Sequence, residues 1–275
     1  MIMMNELSIN SGSELGIVEK SSRLGGLVAV AEVSVFFGAF FLVVKYLSLT
    51  PPAITHFRLL GWNFFAHAMM VIAPLGLIFL RRESPADYGL QRGQLRDPET
   101  RRLGKVAFIE LAVIWLAGLL AASRSGHYRI ALNLPLEWFA MAWPIKAIWR
   151  NLIGLALTVI FEVFFCGVGE EVMFRGYIQG RLNHALGRPW NFWGVQVGWG
   201  LILSSVIFGI AHALGNFNPF GGFDLKELRW SWSVVGITGL EGMILGLLRD
   251  RSNGIAAPVM IHAIICLLFG TVMVS

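Results

Sequence analysis

Charge is what this sequence has least of. Only 14% of its 275 residues are Asp, Glu, Lys or Arg, against 56% that are hydrophobic, and the mean hydropathy is +0.66. Soluble domains devote about a quarter of their residues to charge, so that class is excluded and a membrane protein is left. Cysteine is nearly absent as well. The two present, Cys166 and Cys266, stand far apart with no CxxC spacing, which excludes a disulfide framework and a zinc ribbon by count. The first 20 residues lack the basic segment that opens a cleavable signal peptide, so the first apolar run is expected to remain as an anchor. Repeats, low-complexity tracts and a basic patch interleaved with aromatics are also missing. The net charge of +5 therefore calls for no nucleic-acid partner.

What the chain does have is apolar length. Runs of the roughly 20 residues needed to cross a hydrocarbon layer of about 30 Å fall near 27–49, 55–80, 105–122, 148–172, 195–214, 233–250 and 255–274. The expected fold is all-α, a polytopic membrane bundle of about seven transmembrane helices. The Trp- and Pro-containing segment 131–149 is a candidate eighth element lying in the interface. Seven Lys and Arg residues fall in the single loop 81–105, the largest positive excess outside the spans. The positive-inside rule then makes that loop and the N-terminus cytoplasmic, in a multi-pass protein of the cell membrane. The chain divides into a tail (1–26), N-terminal transmembrane helices with the basic loop (27–147), and a segment carrying the chemistry (148–275).

Ionisable groups at membrane depth cost about 2.5–3.5 kcal/mol each on insertion scales, and each needs a reason to be there. Glu32, Lys45, Arg58, Glu110, Glu162 and Glu241 occur singly and read as structural pairs, water contacts or interfacial residues. A proton relay through Glu32, Glu110 and Glu241 would need a continuous path, which no spacing shows. Glu170 and Glu171, in GVGEEVMFRGYIQGRL, are different. Adjacent helical side chains diverge by about 100°, so the two carboxylates are expected to have separate tasks. Arg175 stands four residues after Glu171, the spacing of an ion pair on one helix face. Glu170 is then the unpaired acid, suited to act as a general base. The plainer alternative is a helical ion-pair network that only stabilises.

Two further clusters bear on that choice. In FGIAH, Phe208 precedes His212 by one turn; in PVMIHAIIC, His262 precedes Cys266 by one turn. At a rise of about 1.5 Å per residue, a helix ending near 186 and a successor starting near 195 put Glu170 and His212 level, toward the cytoplasmic side, with His262 at a similar depth. Three such groups can activate a water against a peptide carbonyl and stabilise the oxyanion. The same residues could instead bind zinc, a reading less favoured for want of an HExxH motif. Ser204 and Ser205 lack the context of a nucleophile elbow. A thiol nucleophile at Cys166 or Cys266 is a further alternative, since Cys266 shares a helix face with His262. The favoured reading requires no cofactor.

EEVMFRG (170–176), FGIAH (208–212) and GLLRDRSNGIAAPVMIHAIIC (246–266) together resemble the three signature segments of the CAAX protease and bacteriocin-processing family. These are glutamic intramembrane endopeptidases, also known as abortive-infection or type II CAAX prenyl endopeptidase domains. The resemblance covers about 148–270. It implies a helical bundle with an intramembrane cavity open to the cytoplasm, Glu170 as the water-activating acid, His212 as its assistant and His262 at the oxyanion. Glu171 and Arg175 match the supporting ion pair, and Phe208 and Cys266 count as further supporting residues. It also implies a membrane-anchored peptide or protein substrate: a CAAX-like tail, a C-terminal sorting tail or a bacteriocin-type precursor. One position departs: where the family often has Asn, this chain has Cys266, a poorer hydrogen-bond donor. Asn216 and Asn218 are possible substitutes. The departure also admits an inactive member acting as a membrane regulatory or immunity protein.

Overall fold

Apolar segments out of water must satisfy their own amides, and helices do so within one segment. The computed structural model describes residues 14–49, 62–124, 130–132, 156, 159–214, 225–270 and 272–274, and helix dominates them. In chain order these are α1 (Glu14–Leu49), α2 (Trp62–Leu80), α3 (Pro98–Arg124), α4 (159–186), α5 (Trp199–Ala213), α6 (Leu225–Ser252) and α7 (Ala256–Ile265), the last continued by a π-helical turn, Cys266–Gly270. Two short antiparallel ribbons complete the chain: β1 (Ile130–Leu132) with β4 (Val272–Val274), and β2 (Trp190–Phe192) with β3 (Val195–Val197).

The ribbons correct two expected spans. Trp193 and Gly194 take positive φ values of 51° and 76°, which turn the chain back between β2 and β3. Helix α5 consequently begins at Trp199 rather than near 195. At the other end, residues 272–274 leave the helix to pair with 130–132, so the start of the expected interfacial segment is strand. The remainder of that segment, together with Arg58, Asn216 and Asn218, lies outside the described residues. Among the described residues, one helix, Gly25–Tyr46, is long and apolar enough to cross a membrane; Phe65–Leu80, Trp199–Ala213 and Ala256–Leu268 are shorter.

Apolar side chains line the exterior as well as the core. Large apolar side chains stand exposed along α1, α2 and α3, among them Val35, Leu42, Phe79, Ile109 and Val113. Glu170, Glu171, Arg175, Gln179, Glu241, Arg249, Asp250 and His262 are buried. That distribution suits a hydrocarbon solvent, which rewards apolar exteriors and requires polar groups to find partners inside. One apolar cluster joins Ala29 and Val33 of α1 and Ile78 of α2 to Met173, Phe174, Tyr177, Ile178 and Leu182 of α4 and Phe208 of α5. The packing therefore runs across residue 147.

The basic loop between α2 and α3 is laced to the α6–α7 turn. Gln94 N donates to Ser252 O at 2.7 Å, and Arg249 Nη2 to Tyr88 O at 3.0 Å. Asp97 caps α3 by accepting from the Thr100 amide at 2.8 Å, with Pro98 at the first helical position. It also pairs with Arg251 at 2.8 Å. The Thr100 amide, helped by Arg251, holds the Asp97 carboxyl below the usual carboxylate range.

Candidate active site

Helix α4 is wound irregularly where the sequence reads GVGEEVMFRG. Phe161–Gly167 and Glu171–Ile178 are π-helical, separated by the short α-helical Val168–Glu170. Such widened turns are rare and concentrate at functional sites. The two glycines before the glutamates admit neighbours on both sides. A Cβ at Gly169 would come within 2.8 Å of the His67 carbonyl oxygen on α2, and one at Gly167 within 2.9 Å of Ala263 on α7. Helices α2 and α7 thus close on Glu170 at backbone distance.

Three histidines from three other helices surround its carboxylate. His67 Nε2 donates to Glu170 Oε1 at 3.1 Å. His212 Nε2 and His262 Nε2 each stand 3.8 Å from Glu170 Oε2, which has no hydrogen-bond partner among the described residues. Both of these rings are oriented by the opposite nitrogen: His212 Nδ1 donates to Phe208 O at 3.0 Å, and His262 Nδ1 to Glu171 Oε1 at 2.8 Å. The His212 side chain is 32% exposed and that of Glu170 8%.

The expected Glu171–Arg175 pair is present at 3.3 Å, fully buried. The Arg175 guanidinium lies 4.0 Å from the centre of the Phe208 ring, which also packs on His212 at 4.5 Å. Phe208 is thus the floor on which the cation and the imidazole rest. Cys266, one turn after His262, has its Sγ 3.1 Å from Cys166 Sγ, and Cys166 in turn reaches Glu170 Oε1 at 3.6 Å.

One expectation needs correcting. Glu170 is not unpaired, because His67 holds one of its oxygens. The adjacent glutamates keep different hydrogen-bonded and charged partners, Arg175 and His262 Nδ1 for Glu171 and His67 for Glu170, while the His262 ring stands between them with its Nε2 3.8 Å from Glu170. Glu241 also belongs to this cluster: it is buried, and its Oε1 lies 3.8 Å from His262 Nε2. Nothing in spacing could have singled out His67 or Glu241, neither of which has another ionisable residue three or four positions away.

Ser204 and Ser205 donate to Leu201 O at 3.2 and 2.7 Å, occupied within their own helix. On α6, Gly242 and Gly246 abut α5 closely, whereas a Cβ at Gly236 would meet open space. Glu32 is paired, with Arg81, Arg181 and Tyr177.

Residues 151–268 match the type II CAAX prenyl endopeptidase Rce1-like family. The Rce1-like segment contains Glu170, Glu171, Arg175, His212 and His262 but not His67, and the family is one of integral membrane proteases. No curated protein and no solved structure matches the chain.

Proposed function

We propose that this chain is an intramembrane endopeptidase in which Glu170 and His212 activate water and His262 stabilises the oxyanion. The reading is carried by one observation: Glu170 Oε2 lacks a hydrogen bond while two imidazole Nε2 atoms face it at 3.8 Å. That separation is too long for a direct hydrogen bond and suits polar groups that share a water or a substrate oxygen. Glu170 takes a proton from a water held against His212, the water oxygen attacks the scissile carbonyl carbon, and the proton passes from Glu170 to the leaving amine. His67 keeps the carboxylate aimed by holding Oε1. Burial of the site from bulk water strengthens each of these contacts.

The substrate reading follows from setting. Helices with apolar exteriors leave a membrane-anchored peptide or protein as the natural substrate, of which a CAAX-like tail, a C-terminal sorting tail and a bacteriocin-type precursor are the candidate classes. About seven crossings, a cavity open to the cytoplasm and a cytoplasmic N-terminus in the cell membrane belong to the same proposal, supported by the charge of the loop 81–105. No nucleic acid takes part.

The test compares membrane peptides from cells carrying the wild-type chain with those from cells carrying Glu170→Gln. Substrates should persist uncut in the variant. Identical peptide profiles from both would remove the reading. A second reading, a regulatory protein with an idle site, is favoured by Cys266, whose thiol is a weak donor where the family often has Asn. It requires that Glu170→Gln and His212→Ala both leave the cellular phenotype unchanged.

A further inference from the structure

Cys166 and Cys266 are the only cysteines of the chain, and the fold brings their sulfurs to 3.1 Å of each other beside Glu170. One ligand atom each from Cys166, Cys266 and His262 lie within 4.8 Å of one another; His67, Cys166 and Glu170 form a second such set sharing Cys166. We propose that Cys166, Cys266 and His262 bind one zinc ion, with the fourth position open toward Glu170 Oε2. The role of this ion rests on the endopeptidase reading, but its existence does not.

The chemistry of the donors selects the metal. Two thiolates and an imidazole are a borderline-soft set that suits tetrahedral zinc, and three protein ligands with one open position mark zinc sites that do chemistry. His262 commits Nδ1 to the Glu171 carboxylate at 2.8 Å, leaving Nε2 as its ligand atom. A carboxylate behind a ligating histidine, itself fixed here by Arg175, sets the tautomer and raises the basicity of the ring. Metal–sulfur bonds of about 2.3 Å at a tetrahedral angle place two sulfurs about 3.8 Å apart, so the pair has only to open by a fraction of an ångström. Binding converts two thiols to thiolates and releases two protons. The divalent ion and two thiolates sum to zero charge, which a buried site in an apolar exterior tolerates far better than a bare cation.

The proposal also accounts for the departure at Cys266. A thiolate cannot donate to an oxyanion as an asparagine amide does, but a zinc ion held by that thiolate can take the charge as a Lewis acid. With zinc bound, oxyanion stabilisation passes from the His262 N–H to the metal that His262 holds.

The test is the zinc content of the full-length chain, purified in detergent under reducing conditions with zinc present during expression. About one zinc per chain is expected, falling at least tenfold in Cys166→Ser and Cys266→Ser. Should those variants fail to fold, cobalt replacement in the wild-type chain gives the same answer through a thiolate-to-cobalt charge-transfer absorption. Wild-type protein without zinc and without that absorption, or with its two cysteines joined as a disulfide, would overturn the proposal. Glu170→Gln separates the two readings. It should keep its zinc and lose cleavage; zinc retained with membrane peptides unchanged sinks the endopeptidase and leaves the metal site standing. Cleavage that persists in a zinc-free chain does the reverse.

Discussion

Two carboxylates within the helices of this protein have opposite surroundings. Glu32 on α1 is met by Arg81 at 2.5 Å, by Arg181 through both oxygens at 2.9–3.3 Å and by the Tyr177 hydroxyl at 2.8 Å. Glu170 on α4 is met by three imidazoles, and one of its oxygens has no hydrogen bond. Guanidinium groups are permanently charged and saturate a carboxylate, leaving it nothing to exchange. Imidazoles carry protons that come and go near neutral pH. The first arrangement ties α1, α2 and α4 together; the second can move a proton.

The matched substitutions Glu170→Gln and Glu32→Gln test that contrast directly. Glu170→Gln should lower cleavage by about 10²–10⁴-fold, the usual worth of a general base, with little loss of folded protein. An unchanged rate in the purified chain would erase the difference between the two sites. Next in size is Glu171→Gln, which strands Arg175 in the interior and should cost about 3–5 kcal/mol, read as a lower thermal midpoint in detergent. It should also release His262 from its orientation.

Glu32→Gln comes third. Its partners are partly exposed, so the loss should be on the order of 1–2 kcal/mol, and activity per folded molecule should stay near wild type. A collapse of turnover without loss of stability would mean that the Glu32 cluster has chemistry of its own. The smallest effect belongs to Asp97→Asn outside the bundle. Because the Asp97 carboxyl is held below its ordinary value of 3.8, its stabilisation is present above that pH and is lost as pH falls through the lower, folded value. The gap between wild-type and Asp97→Asn unfolding midpoints should be widest near neutrality and close on acidification; a pH-independent gap contradicts the assigned contacts.

The comparison also shows what could be read from residues alone. Helical class, the Glu171–Arg175 pair and the convergence of Glu170, His212 and His262 were legible because helical spacing and rise convert sequence separation into position. The partners of Glu32 were not, since Arg81 and Arg181 reach it from segments 49 and 149 residues away. His67 failed for the same reason, with an added one: its approach depends on Gly169, and a glycine before a glutamate states that something comes close without stating what. The hairpin 190–197 and the ribbon joining 130–132 to 272–274 were hidden because three-residue strands of Trp, Val and Leu look like continuations of apolar helices.

The hydrogen bond from His67 reaches across the limits of the Rce1-like segment, because α2 lies wholly before residue 151. Residues 151–268 made alone, or transplanted into another scaffold, would keep every signature motif and yet leave Glu170 without the imidazole that holds Oε1. The piece that fixes this carboxylate is set by helix contacts, and it is larger than the stretch that sequence kinship outlines.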